Sequence, residues 1–166
     1  MLAVRLVKIA MVAATAVFAL LVAFNNVVDY GTNYAFVRHT LSMDTTFPGN
    51  ALMGRAIISP TLWTAGYWAI IAAEAATGLV LVWATVRLAA AVRGRAEMFN
   101  AAKSLVLVGV GLGFLLWFGG FMVVGGEWFA MWQSKSWNGQ EAAFRFYLSL
   151  LAVAIFVNQP DAELKT

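Results

Sequence analysis

The chain contains no cysteine, so disulfide bonds, thiolate metal ligands and cysteine redox motifs are all excluded. Charged residues are also scarce: they make up 11% of the 166 residues, whereas 62% are hydrophobic. A soluble globular domain usually carries about 25% charged residues. This shortage of charge indicates a membrane protein.

Histidine occurs once, as His39. A membrane haem usually takes two axial side chains. Met43 and Met53 are possible thioether ligands, but methionine more often fills gaps in packing, so we expect no haem.

His39, Asp44 and Glu127 form a mixed nitrogen and oxygen set of the kind that zinc accepts. Their spacing gives no support for a metal site, and we expect these residues to hold loops together.

The motifs of common enzymes are missing from the sequence. It has no nucleophile elbow, phosphate loop, dinucleotide fingerprint or HExxH, and "GVGLGF" at 109–114 lies inside an apolar run with no strand before it. The basic residues lie between apolar segments instead of forming one surface, which argues against nucleic acid as a partner. We therefore expect neither an enzyme nor a bound cofactor.

Four apolar stretches approach the roughly 20 residues that a helix needs to cross a bilayer. They predict an all-α, four-helix membrane bundle in one domain, with spans at about 6–28, 62–86, 104–125 and 142–157. The apolar part of the first stretch exceeds the roughly 7–15 residues of a signal peptide, so we expect it to be retained. An even number of spans places both termini on one side.

Charge indicates which side that is. Seven basic residues and three acidic residues fall on the terminal side, which includes the loop at 87–103, and the positive-inside rule makes this side cytoplasmic. A bacterial inner membrane fits this topology, with both termini in the cytoplasm. The seven basic residues are Arg5, Lys8, Arg87, Arg93, Arg95, Lys103 and Lys165.

The two outer loops, 29–61 and 126–141, are rich in aromatic and aliphatic residues, and we expect them to fold together as a periplasmic cap. Trp128, Trp132 and Trp137 are predicted to anchor the second loop at the lipid headgroups, a more common role for such residues than quinone binding. Four basic and four acidic residues balance on this side, which suggests pairing within the cap, together with His39; ordinary loops whose charges balance by chance stay an open alternative. The eight residues are Asp29, Arg38, Asp44, Arg55, Glu127, Lys135, Glu141 and Arg145.

The third span is rich in glycine. Gly109 and Gly113 form a G-x-x-x-G pair, and Gly119 and Gly120 continue the small-residue content, which predicts close helix packing. The spacing leaves open whether this packing is internal or against another subunit.

Glu74 is a lone carboxyl group in the apolar run "AIIAAEAATG". An ionised acid at a helix centre is expensive, about 2.5–3.5 kcal/mol on insertion scales, so we expect a neutral, hydrogen-bonded group. Counting from the span ends gives the hydroxyls of Thr15 and Ser149 as candidate partners, with a backbone carbonyl as the alternative. Two other interpretations stay open: a carboxyl group that meets a partner protein, and a proton or ion relay. A relay needs a second titratable group along a path, and the predicted spans offer no second carboxyl group or histidine.

The segments "FNNVVDYGTNYAFVRHTLSMDTTFPGNALMGRAI" and "GFLLWFGGFMVVGGEWFAMWQSKSWNGQEAAFRF" resemble the bacterial family of predicted small integral membrane proteins, domain of unknown function 2165. The resemblance covers nearly the whole chain. It implies four spans and implies no activity.

Two functions remain. The first is a non-catalytic accessory subunit that packs beside a larger membrane complex, for example a respiratory or other energy-converting assembly, with lipid and other membrane subunits as its partners. The second is a small oligomeric transporter or channel with Glu74 in its pathway, although such proteins usually show internal repeats or interrupted spans.

Overall fold

A computed structural model describes residues 2–164, and every regular element in that range is helical. Four of its helices are long and apolar enough to cross a membrane, which confirms the predicted all-α four-span fold. They are α1 (Leu2–Val28), α3 (Pro60–Ala90), the continuous stretch Ala96–Trp128 and α6 (Gln140–Asn158). The stretch Ala96–Trp128 consists of α4 (Ala96–Ala102), α5 (Ser104–Phe114) and a π-helix (Leu115–Trp128), and α2 (Tyr30–Ser42) lies between the first two spans.

Helices α1 and α3 form the central contact of the bundle. Small residues make this contact close: the buried stripe of α1 includes Ala16, Ala19 and Ala23, spaced so that they share one helix face. A Cβ atom placed on Gly78 of α3 would lie 2.6 Å from Cγ of Leu20 and 3.1 Å from its backbone nitrogen. Only glycine permits this approach of the two backbones. Helix α5 packs on the other side of α3, and α6 packs against α5 and the π-helix.

Helix α3 begins beyond the last turn of α1, at the end of the bundle opposite to the chain termini. Asn26, in the last turn of α1, accepts a hydrogen bond at its carbonyl oxygen from the Tyr67 hydroxyl at 2.6 Å. About two turns of α3, from Pro60 to Gly66, therefore extend past α1, and α2 covers them, with Leu41 3.5 Å from the Cβ position of Gly66. The two helices are thus displaced along their axes.

The outer half of the third span is π-helical. Its last turn is closed by the Phe129 N–H, which donates to the carbonyl of Val124 at 3.0 Å, five residues earlier. The wider turn changes which residues share a helix face. Trp117, at the start of this segment, is 1% exposed and packs its ring against Phe18 and Phe146.

At the end of the bundle that carries both termini, here called the inner end, basic side chains are buried. Arg5, Lys8 and Lys103 are 0%, 1% and 3% exposed. The Nζ atoms of Lys8 and Lys103 each donate to the same oxygen of Asp161, both at 2.6 Å, and both also donate to the carbonyl of Gln159. The C-terminal tail therefore closes the inner end of α1 and α5. Lys165, also counted on this side, lies outside the described residues.

Arg5 joins the remaining segments at this end. Its guanidinium donates to the carbonyls of Val92 and Gly94 at 3.0 and 2.8 Å and to that of Ala162 at 3.1 Å. The same group lies 4.8 Å from the ring centre of Phe99. These contacts connect the start of α1, the turn after α3 and the C-terminal tail, so both termini lie on one side of the bundle.

Replacing Asp161 by asparagine is expected to destabilise the protein by about 3 kcal/mol or more, because two buried ammonium groups lose their shared carboxylate. The free energy of unfolding of the purified protein in detergent measures the effect. The control is Glu97→Gln, which removes the exposed ion pair with Arg95 and should change stability by no more than about 1 kcal/mol.

The pH dependence gives a second measure of the same contact. Burial by itself raises the pKa of the Asp161 carboxyl, but the hydrogen bonds and charges of Lys103 and Lys8 outweigh it and hold this pKa below the ordinary 3.8. The contribution of Asp161 is therefore present above about pH 4 and is lost as the pH falls through the lowered value. Equal stability of Asp161→Asn and the unmodified protein at neutral pH would show that the cluster is not a stabilising contact.

The absence of cysteine allows the predicted orientation to be tested with single cysteines. Ala162 and Ser136 are exposed at opposite ends of the bundle. In intact cells, Ser136→Cys is expected to react with a membrane-impermeant maleimide, and Ala162→Cys is expected to react only after permeabilisation. The reverse pattern would place the termini outside.

Candidate functional site

Glu74 lies on the buried face of α3, two helical turns after Tyr67, and is 2% exposed. Its Oε2 atom accepts a hydrogen bond of 2.7 Å from the side-chain amide of Asn26. Because the carbonyl of Asn26 also accepts the Tyr67 hydroxyl, Asn26 connects both α3 residues to the last turn of α1. The polar centre of the bundle therefore lies level with the outer end of α1.

A cavity of about 220 Å³ adjoins this polar group, between α1, α2, α3, the π-helix and the start of α6. Among residues 2–164, Glu74 is the only charged residue that lines it, and Asn26 and Asn33 contribute side-chain amides. Of the eleven remaining lining residues, five are aromatic and six are aliphatic or glycine. The rings that line it belong to Phe36, Tyr67, Trp117, Phe121 and Phe146.

Two further spaces adjoin the cavity. An apolar pocket of about 220 Å³ between α2, α3 and the π-helix shares Phe36, Val37, Ile70 and Phe121 with it. A groove of about 430 Å³ runs between α1 and α6 and shares Phe146 with it. The polar cavity thus has an apolar extension on one side and a groove between two spanning helices on the other.

The predicted partners of Glu74 are wrong. The Thr15 hydroxyl donates to the carbonyl of Val12 at 2.8 Å, and the Ser149 hydroxyl donates to that of Arg145 at 2.7 Å, so each bonds within its own helix. Both residues line the groove and not the cavity. The reason is the displacement of α3 relative to α1, which places Glu74 beside the last turn of α1 and away from Thr15.

The glycines of the third span fall into two groups. Cβ atoms at Gly109 and Gly113 would lie 2.7 Å from Leu81 and 2.5 Å from Leu150, so these glycines make room for side chains of α3 and α6. Gly119 has nothing within 4 Å, and Gly120 has only Leu116 at 3.9 Å. Gly119 and Gly120 therefore make no close contact with another helix within residues 2–164, and packing against another subunit stays a prediction for this pair.

The two outer segments pack on each other. The Thr45 hydroxyl donates to that of Ser134 at 2.8 Å, and the Phe47 N–H donates to the side-chain carbonyl of Gln133 at 3.1 Å. Met43, Phe129 and Ala130 form a small apolar core beneath these bonds.

Charge pairing explains only part of this packing. His39 Nδ1 lies 2.8 Å from Asp44, and Arg145 pairs with Glu141. Arg38 and Arg55 instead lie over the rings of Trp63 and Trp128, 5.9 and 4.5 Å from the ring centres. Predicted ion pairing is wrong for these two arginines within residues 2–164, and Arg55 donates instead to the backbone carbonyl of Trp128 at 3.1 Å. Within residues 2–164, Asp29, Glu127 and Lys135 form no ion pair.

The predicted interfacial tryptophans have different surroundings. Trp128 and Trp132 are 54% and 49% exposed. Trp137 is half-buried and stacks on His39 with ring centres 4.7 Å apart. Within residues 2–164, no group of three or more histidine, aspartate or glutamate side chains is arranged to hold a metal ion.

Sequence reasoning missed Asn26 and the buried inner cluster. A signal for Asn26 was available, because "FNNVV" places two amides inside the end of an apolar span. For Lys8 and Lys103 the only signal was their place at the span ends, which is also typical of exposed flanking charges.

These features define a four-span, all-helical membrane protein in which the buried carboxyl group of Glu74, within a spanning helix, adjoins a cavity lined in part by aromatic rings. The family model for predicted small integral membrane proteins, DUF2165, matches residues 4–160, and the chain belongs to that family. No curated protein and no solved structure matches the chain.

The contact between Asn26 and Glu74 can be tested by replacement with apolar residues. Asn26→Leu is expected to lower the free energy of unfolding by about 1–3 kcal/mol, because a buried carboxyl oxygen loses its donor. Asn25→Leu is the matched control, since Asn25 is exposed on the same helix. Adding Glu74→Leu to Asn26→Leu should recover most of the loss. Equal effects of Asn26→Leu and Asn25→Leu would contradict the contact.

Proposed function

We propose that the protein is a non-catalytic accessory subunit that packs beside a larger complex in a bacterial inner membrane, with both termini in the cytoplasm. The larger complex is, for example, a respiratory or other energy-converting assembly. The observation that carries the proposal is a pair of glycines on the third span, Gly111 and Gly119, here called the glycine surface: at each of them an added Cβ would meet nothing within 4 Å.

This surface has the form of a helix contact in lipid. Small residues let helix backbones approach closely, and van der Waals packing is a main source of association between spanning helices. The neighbouring side chains are large and exposed: Leu115 is 68% exposed and Phe118 is 37% exposed. Small and large residues together offer a groove and its edges to a helix from another subunit. Gly109 and Gly113 of the same span already serve internal packing, so the helix has two different small surfaces.

A small oligomeric transporter or channel is the second candidate, and the position of Glu74 in the wall of a cavity favours it. Ion-coupled transport would need Glu74 to titrate or bind the ion. Glu74→Gln keeps the shape and the bond to Asn26 but removes the titration. A change in ion or proton flux across vesicles that contain only the purified protein, caused by this substitution, would support the second candidate.

The glycine surface is tested by adding bulk to it. Gly119→Leu is expected to leave the stability of the isolated chain unchanged and to abolish stoichiometric co-purification with a larger complex in gentle detergent, as measured by quantitative mass spectrometry. Ala72→Leu is the matched control, because Ala72 is an exposed small residue on α3, and it should preserve co-purification. Gly113→Leu should instead lower the melting temperature, since its Cβ position is already occupied by Leu150.

Two results would overturn the accessory function. One is recovery of the unmodified protein only as a homo-oligomer. The other is equal co-purification of the Gly119→Leu and Ala72→Leu variants, which would remove the glycine surface as the contact.

A further inference from the structure

We propose that the cavity beside Glu74 is a binding site for an organic ammonium cation, held by the carboxylate and surrounded by aromatic rings. Such a site belongs to the isolated chain and does not depend on the accessory function.

The charge of the cavity wall comes from Glu74 alone, because no lysine, arginine or histidine lines the cavity. Asn26 occupies one oxygen of the carboxyl group, Oε2. Oε1 accepts no hydrogen bond from any residue in the range 2–164. Burial favours the neutral acid in the empty cavity, whereas a cation beside the free oxygen stabilises the carboxylate, since opposite charges attract more strongly where water is excluded.

The aromatic lining favours the same class of ligand. Phe36, Phe121 and Phe146 come from three different helical segments and line one space together with Tyr67 and Trp117. Cations are attracted to the faces of aromatic rings within about 6 Å of the ring centre, and cages of such rings are used to bind quaternary ammonium groups.

The scarcity of oxygen atoms disfavours a metal ion as the occupant. Calcium takes about six to eight oxygen ligands, and magnesium demands octahedral oxygen coordination. Besides Glu74, the polar side chains of the wall are Asn26, Asn33 and Tyr67, and the Tyr67 hydroxyl already donates to a carbonyl. An alkylated ammonium ion needs no such shell, because its methyl groups pack against apolar walls.

The size of the space limits the ligand. The cavity of about 220 Å³ is smaller than the roughly 300–1,000 Å³ of pockets for drug-sized molecules, so it suits a small cation or a headgroup. The adjoining apolar pocket offers room for one apolar substituent. Through Phe146 the cavity borders the groove between α1 and α6, so the ammonium group can come from a free solute or from a choline lipid.

The test uses the full-length protein in nanodiscs of phosphatidylglycerol, which contain no quaternary ammonium group, with choline as the probe. Isothermal titration calorimetry is expected to show saturable binding of choline. The neutral isostere 3,3-dimethylbutan-1-ol has the same shape without the charge and should bind at least about tenfold more weakly. Glu74→Gln should weaken choline binding by at least about tenfold, and Phe36→Leu should weaken it by a smaller factor.

The matched control is Glu141→Gln, which removes one exposed acidic charge near the same end of the bundle and should leave choline binding unchanged.

Repetition in phosphatidylcholine nanodiscs separates the two sources of the ammonium group. Loss of apparent affinity for choline shows that the lipid headgroup competes for the site, and unchanged affinity shows a site for free solute. Absence of saturable binding, equal binding of the isostere, or unchanged binding by Glu74→Gln would overturn the proposal. Calorimetry of the purified chain does not depend on co-purification. A negative result for choline binding is therefore distinct from a negative result for the accessory function.

Discussion

The close antiparallel contact between α1 and α3 is the constraint on which the other features of the bundle depend. Gly78 brings the two backbones together at Leu20, where a Cβ atom would be 2.6 Å from the leucine side chain. This contact sets the relative height of the helices, and the height decides which polar groups meet. Asn26 comes level with Glu74, and the overhanging start of α3 becomes the platform for α2.

The buried polar groups of the bundle lie at its two ends, and the two ends differ in how completely these groups are hydrogen-bonded. At the inner end, Lys8, Lys103 and Arg5 are buried and satisfied by Asp161 and backbone carbonyls, which ties the termini to the helices. At the outer end, the carboxyl group of Glu74 accepts one hydrogen bond, from the side-chain amide of Asn26, and adjoins the cavity. The inner cluster is therefore a structural closure, whereas the outer site has an unused acceptor and a volume beside it, the combination expected of a binding site.

Much of the fold could be predicted from the sequence, because the length of an apolar run and the scarcity of charge depend only on the bilayer as solvent. The candidate site was predictable in part. Glu74 stood out because an acid in lipid is expensive, but its partner did not, since residue counting assumed helices that start and end at the same height. The glycines show a similar limit: the sequence marked all four as small, but only the structure showed that Gly109 and Gly113 meet side chains of α3 and α6, whereas Gly119, in the π-helical segment, meets none within 4 Å.

The sequence by itself determined that this protein has four apolar helices, an excess of positive charge on the terminal side and one carboxyl group within the second span. These properties follow from the composition of each segment and do not depend on which segments are in contact. Only the tertiary structure decided that Asn26 bonds to Glu74, that five aromatic rings surround the same cavity, and that two lysines share Asp161. Each of these depends on the displacement of one helix along another or on the path of the tail, and these are set by side-chain packing between segments far apart in the chain.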